Sequence, residues 1–71
     1  MENEKHTLNA PLIAAIETFI ARHNMAESTF GRHTVKDWRL IRDLRNGREL
    51  RNRTLTRIHK FMADRDALLA S

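Results

Sequence analysis

The chain has 71 residues, which suffice for one small domain, and a formal net charge of +4 at pH 7. It contains no cysteine, which excludes disulfides and thiolate metal sites. Its apolar runs are short and interrupted by charges, so the sequence predicts neither a membrane span nor a signal peptide, and we expect a cytoplasmic, nucleoid-associated protein without a membrane partner.

A polar stretch from Met1 to His6 precedes the first predicted helix. This helix begins near Asn9 and ends between Arg22 and Asn24. Asn9 is a favourable N-cap, and Pro11 fits a first helical turn because its missing amide proton costs nothing there. Apolar residues recur at helical spacing and predict one buried stripe, formed by Leu12, Ile13, Ile16, Phe19 and Ile20.

The second predicted helix covers residues 26–33 and contains Gly31. A glycine inside a helix costs about 1 kcal/mol relative to alanine, and a helix accepts this cost mainly where another backbone comes close. We therefore expect the third helix to cross tightly over Gly31, with a kink of the second helix at this residue as the alternative. Met25, Phe30 and Thr34 are expected to face the core.

The third predicted helix covers residues 37–46, with Asp37 as its N-cap and the Asn46-Gly47 pair as its stop signal. A basic loop follows from Arg48 to Arg51. The buried stripe of this helix is formed by Leu40, Ile41 and Leu44.

The fourth predicted helix is capped by Asn52 and continues nearly to the C-terminus. Two interpretations of Leu68 and Leu69 stay open: closure of the core against the first helix, or a homodimer seam, which we favour because the core of so small a domain is limited. No alternating strand pattern occurs, so the expected fold is all-α. The apolar stripe consists of Leu55, Ile58, Phe61, Met62, Leu68 and Leu69.

The positive charge is concentrated between Gly31 and Arg53. This segment carries eight basic and three acidic side chains, a local charge of +5, whereas the thirty residues before it carry two basic and four acidic ones. A charge concentrated in this way is typical of proteins that bind a polyanion, and nucleic acid is the first candidate.

The segment from Met25 to Met62 resembles the helix-turn-helix core of lambda-repressor/Cro-like (Xre-type) bacterial regulators. The shared features are Gly31 within the first motif helix, apolar residues ten and thirteen positions later, the Asn46-Gly47 turn and the capped helix that follows it. The chain departs from the family in its turn, where Thr34-Val35-Lys36 replaces the usual glycine. The resemblance implies a compact four-helix, lambda-repressor-like domain over residues 1–71, with its motif core at 25–62 and no effector domain.

The resemblance also implies which residues contact double-stranded DNA, because the third helix of the family lies in the major groove. Arginine binds guanine O6 and N7 together, and cations near the end of this helix are suited to phosphates. The base-reading candidates are Lys36, Trp38, Arg39, Arg42 and Asp43. For Trp38 two interpretations stay open: contact with the methyl group of thymine, or cover for the edge of the core. The phosphate-binding candidates are Arg32, His33, Arg45, Asn46, Arg48, Arg51 and Arg53.

The function expected from the sequence is that of a bacterial or phage transcriptional regulator, a repressor that binds DNA as a homodimer. Two other classes stay open: a protein-interaction module, such as an antitoxin or phage-type accessory factor, and a sequence-neutral nucleoid or RNA binder. We expect no enzyme, cofactor or small-molecule effector. The four histidines have no metal-ligand spacing, and none of the acids or hydroxyls forms a catalytic pair.

Overall fold

Four α-helices follow one another in the order expected from the sequence. The computed structural model describes residues 4–70, with side chains for residues 9–70. The helices are α1 (Glu4–Arg22), α2 (Glu27–Val35), α3 (Leu40–Arg45) and α4 (Asn52–Ala70). No strand occurs within residues 4–70, which confirms the all-α prediction. None of the described helices combines the length and the hydropathy that crossing a membrane requires.

Helix α1 begins at Glu4, five residues before the predicted start, so the prediction of Asn9 as its N-cap is wrong. The Asn9 side chain makes a tertiary contact instead: its amide Nδ2 donates to the carbonyls of Leu44, at 3.0 Å, and Arg48, at 2.8 Å. Pro11 lies inside the helix, where it has no N–H to donate. Of the stretch predicted to precede the helix, residues 4–6 are helical and residues 1–3 lie outside the described part.

The end of α1 agrees with the sequence prediction. Asn24 adopts a left-handed backbone with φ of 53°. The backbone N–H of Met25 donates to the carbonyl of Ile20 at 2.8 Å, and that of Asn24 donates to Ala21 at 3.3 Å. These two bonds form a Schellman motif, which satisfies carbonyls that the end of the helix leaves without an intrahelical partner.

The core lies where all four helices meet. The rings of Phe19 from α1, Phe30 from α2 and Phe61 from α4 pack edge to face, with centroids 5.7–5.9 Å apart. The buried stripe predicted for α3 is confirmed, and in the apolar stripe of α1 Ile16 and Phe19 are buried, while its other members are partly buried against the core. The fully buried apolar side chains are Ile16, Phe19, Phe30, Leu40, Ile41, Leu44 and Ile58.

The connection between α2 and α3 holds Gly31 in close contact. A Cβ atom at Gly31 would overlap the carbonyl oxygen of Asp37 and would lie 3.2 Å from Cβ of Leu40. The predicted close approach to Gly31 is therefore present. It is made by the turn and by the first residue of α3, not by a helix that crosses over α2. Thr34, as predicted, is buried, and its hydroxyl donates to the Phe30 carbonyl at 2.8 Å.

Helix α3 is shorter than predicted, because it begins at Leu40 and not at residue 37. Asp37 caps the turn before the helix: its Oδ1 accepts from the Arg39 backbone N–H at 3.0 Å, and its carbonyl accepts from Leu40 at 3.1 Å. Helix α2 correspondingly continues to Val35, two residues beyond its predicted end. Lys36 then turns the chain with φ of 61°.

The end of α3 and the start of α4 lie close to their predicted positions. Gly47 has φ of 93°, and the Arg48 backbone N–H donates to the Asp43 carbonyl at 2.9 Å, so the Asn-Gly stop is confirmed. Asn52 is the first residue of α4 rather than its cap. The cap is Arg51, since its carbonyl accepts the first helical bond, from Leu55, at 3.0 Å.

The last turn of α4 does not close the core. Leu68 is 71% exposed and Leu69 is 60% exposed, so the interpretation of these residues as packing against α1 is wrong. Helices α1 and α4 are joined before this point by Arg22, whose guanidinium binds both carboxylate oxygens of Asp66 at 2.9 and 3.0 Å. Leu68 and Leu69 come after this contact.

Candidate nucleic-acid interface

Three of the base-reading candidates form one exposed group at the start of α3. The indole of Trp38 is 55% exposed and lies beside two guanidiniums, that of Arg42 at 5.2 Å and that of Arg39 at 5.9 Å from its ring centroid. Both arginine side chains are more than half exposed. Lys36, another of these candidates, is exposed in the turn before α3. We call the group of Trp38, Arg39 and Arg42, together with Asp37, Asp43 and Arg48, the α3 surface.

The carboxylates near these arginines hold them only weakly. Asp37 Oδ1 lies 3.4 Å from Nε of Arg39, and Asp43 Oδ1 lies 3.9 Å from Nε of Arg42. Strong charge-assisted hydrogen bonds measure about 2.7–2.9 Å. The guanidinium groups of Arg39 and Arg42 are therefore available to another partner.

Arg48 lies across the α3 surface, between two acids. Its Nη1 is 3.3 Å from Asp37 Oδ2 and 3.4 Å from Asp43 Oδ2. The pKa of Asp37 lies below its ordinary value, chiefly because the Arg39 backbone N–H donates to the carboxylate, with smaller contributions from the Arg39 and Arg48 side chains.

The phosphate-binding candidates divide into free cations and paired ones. Arg32, Arg51 and Arg53 are exposed, and no carboxylate of residues 9–70 lies within 4 Å of them. His33 and Asn46 are also exposed, and the His33 ring lies 6.0 Å from that of Phe61.

Arg45, in contrast, connects three helices. Its guanidinium donates to Glu27 on α2 at 2.6 and 3.0 Å and to Glu17 on α1 at 2.9 Å. The Arg45 hydrogen bond is the main reason that the pKa of Glu27 lies below its ordinary value. The geometry gives Arg45 a role in fixing α3 against α1 and α2.

Sequence reasoning did not single out Arg57. This residue is exposed on α4, one turn after Arg53, and within residues 9–70 it has no carboxylate within 4 Å. Residues four apart share a helix face, so Arg53 and Arg57 are neighbours on the surface of α4. The spacing of four positions between the two arginines, within a predicted helix, could have identified Arg57 from the sequence.

An open groove of about 550 Å³ lies between α1, the loop after α3 and the first half of α4. Its walls are mostly apolar, and Glu49 and His59 contribute polar groups. Within the described residues, no cluster of three histidine or carboxylate side chains is suited to a metal ion.

Comparison of the chain with protein-family models, with curated proteins and with solved structures finds no match.

Proposed function

We propose that the chain is a sequence-specific, double-stranded DNA-binding regulator of the lambda-repressor-like helix-turn-helix type, and that it represses by occupying a promoter. Helix α2, the turn at residues 36–39 and α3 would form the motif. The observation that carries the proposal is the α3 surface, where Arg39 and Arg42 are exposed beside Trp38 and only weakly paired.

The chemistry of these side chains suits the major groove. An arginine donates to O6 and N7 of one guanine at the same time, which discriminates against the wrong base by about 1–3 kcal/mol. An exposed indole offers an apolar face to the methyl group of thymine. Arg39, the N-cap residue of α3, and Arg42, within α3, both lie beside the Trp38 indole, so one exposed patch presents both guanidiniums.

The free cations supply the sequence-independent part of the proposed affinity. Arg32, Arg51 and Arg53 would bind phosphates, and Arg57 extends this set along α4. Arg45 is not one of the proposed phosphate-binding residues, because its guanidinium already donates to Glu17 and Glu27 at 2.6–3.0 Å.

The proposed active form is a homodimer that binds two half-sites about one helical turn apart. The exposed Leu68 and Leu69 are the surface that we propose for its seam, since they present apolar side chains beyond the core. Sedimentation of the purified protein, compared with a Leu68→Asp variant, tests this assignment. A monomeric wild-type protein would contradict it.

Selection of bound sequences from a random duplex library tests the DNA-binding proposal. We expect enrichment of a motif, with palindromic symmetry if the dimer is correct. Retention of duplexes without enrichment would contradict sequence-specific regulation and favour a sequence-neutral binder. Absence of retention at low salt would contradict DNA binding altogether and favour a protein partner.

Alanine variants separate base reading from phosphate binding. Arg39→Ala and Arg42→Ala should each reduce the preference for the selected motif over random DNA by about fivefold to 150-fold, which corresponds to about 1–3 kcal/mol. Arg51→Ala should weaken both DNAs equally and lower the salt slope of log Kd by about 0.9.

Lys60→Ala is the matched control for these variants, because Lys60 is exposed but pairs with Asp64 at 3.1 Å. It removes one positive charge and leaves the α3 surface unchanged. Equal losses on selected and random DNA for Arg39→Ala and Arg42→Ala would overturn the base-reading assignment.

A further inference from the structure

Arg48 connects the two ends of the α3 surface. It follows α3 in the chain, yet its guanidinium lies beside Asp37, which precedes α3, and Asp43, which lies within it. At 3.3 and 3.4 Å, neither contact has the length of a strong ion pair. Arg48 is thus shared between the two carboxylates rather than bound tightly to one.

This arrangement leaves the α3 surface nearly neutral at its centre. Three guanidiniums, of Arg39, Arg42 and Arg48, stand against the carboxylates of Asp37 and Asp43, which leaves one uncompensated positive charge. Outside this group, the exposed cations of residues 9–70 that have no carboxylate within 4 Å are Arg32, Lys36, Arg51, Arg53 and Arg57.

We propose that Asp37 and Asp43 are specificity-determining residues, which hold Arg48 across the α3 surface and keep that surface from binding DNA of any sequence. The inference rests on the proposed DNA-binding function and names the acids that regulate its specificity. Asp43 is then a positioning residue, rather than the base reader that the family resemblance implied.

The physical argument is a competition for the same guanidiniums. Any DNA offers phosphates, and a phosphate that approaches Arg48 must displace a carboxylate and remain close to its negative charge. Phosphate contacts supply essentially all of non-specific binding, so this repulsion falls most heavily on DNA of unrelated sequence. At a cognate site this cost is offset by hydrogen bonds that Arg39 and Arg42 donate to base edges.

The test is the affinity for a random duplex of Asp37→Asn and Asp43→Asn, each measured as a function of salt. Asparagine keeps the Oδ1 acceptor, so Asp37→Asn retains the cap on the Arg39 backbone N–H. We expect each variant to bind random DNA about three- to tenfold more tightly, with a salt slope steeper by up to about 0.9. The preference for the selected motif should fall by a similar factor.

Asp64→Asn is the matched control. It changes the net charge by the same amount, but its partner Lys60 lies on α4. If Asp37→Asn and Asp43→Asn tighten random-DNA binding no more than Asp64→Asn does, the inference is overturned. Circular dichroism of each variant establishes that the helices are intact.

A double-mutant cycle tests whether Asp43 acts through Arg48. In an Arg48→Ala background, Asp43→Asn should affect random-DNA binding no more than Asp64→Asn does. An undiminished effect would assign the repulsion to Asp43 alone and overturn the role given to Arg48. Failure of the wild-type protein to bind any DNA at low salt would instead overturn the proposed function, on which the inference rests.

Discussion

Lys36 shows at the scale of one residue how this chain makes a turn without glycine. Its backbone has φ of 61°, a conformation that a side chain with a Cβ adopts at a cost. The turn keeps its backbone hydrogen bond at this position, since the Lys36 N–H donates to the Arg32 carbonyl at 3.2 Å.

Replacement of Lys36 by glycine should stabilise the fold. We expect Lys36→Gly to raise the free energy of unfolding by about 0.5–1 kcal/mol, because glycine adopts this backbone without the steric cost. Urea unfolding measures the change. Lys36→Ala is the control, since it removes the same charge but keeps the Cβ; equal stability of the two variants would show that the left-handed backbone carries no cost here.

The sequence did not predict which charged side chains pair with one another. The basic segment was evident, but Arg45 binds Glu27 and Glu17, which are 18 and 28 positions away. No local spacing rule connects residues so distant, and Arg45 was accordingly predicted to bind phosphate. The exposed positions of Trp38, Arg39 and Arg42, in contrast, agree with the helical spacing of the buried residues around them.

Among the elements, α3 depends most on its neighbours. It has six residues, and isolated helices shorter than about 12–15 residues are marginal in water. Its stability comes from three buried side chains, from the Arg45 ion pairs and from Asn9 of α1, which donates to the carbonyls of Leu44 and Arg48.

Loss of the Asn9 amide should destabilise the end of α3. Asn9→Ala should lower the free energy of unfolding by about 1–2 kcal/mol, because two carbonyls lose a donor. Asn9→Asp should cost more, since it sets a carboxylate against these carbonyls and against the negative end of the α3 dipole. Chemical denaturation compares the two variants; an aspartate variant as stable as wild type would contradict the hydrogen bonds of Asn9.

Helix type and order followed from the sequence, whereas helix ends did so only in part. Periodic apolar residues predicted four helices, and the Asn-Gly pair predicted the end of α3. Asn9 does not mark the start of α1, although its side-chain oxygen could cap a helix, because its amide nitrogen donates to distant carbonyls instead. The predicted start of α3 at Asp37 was wrong, because an aspartate caps a tight turn as readily as it caps an α-helix.

Carboxylates that form ion pairs in the folded state make the stability of the whole molecule sensitive to acid. The pKa of Asp66 lies below its ordinary value, mainly because His23 donates to it at 2.7 Å, with Arg22 contributing further. The pKa values of Glu27 and Asp37 are lowered as well. A carboxylate with a lowered pKa in the folded state stabilises the fold above its unfolded pKa, and this contribution is lost as the pH falls through the folded value.

We therefore expect the free energy of unfolding to decrease as the pH falls below about 4.5, where carboxylates of the unfolded chain take up protons. Asp66→Asn should lower stability at pH 7 and flatten this decrease. Urea unfolding between pH 3 and pH 7 measures both effects, with Asp64→Asn as the exposed control. An unchanged pH dependence in Asp66→Asn would show that its contacts with His23 and Arg22 contribute no stability.

The long-range hydrogen bonds of Asn9 have a consequence for the order of folding. They join residues 35 and 39 positions apart, and contacts of such separation form late, because the intervening chain must first be ordered. The resembling segment, residues 25–62, would lack this donor and the buried Ile16 and Phe19 of α1 if it were expressed alone. We therefore expect residues 25–62 alone not to fold stably, and α3 to become ordered in a nascent chain only once α1 can pack against it.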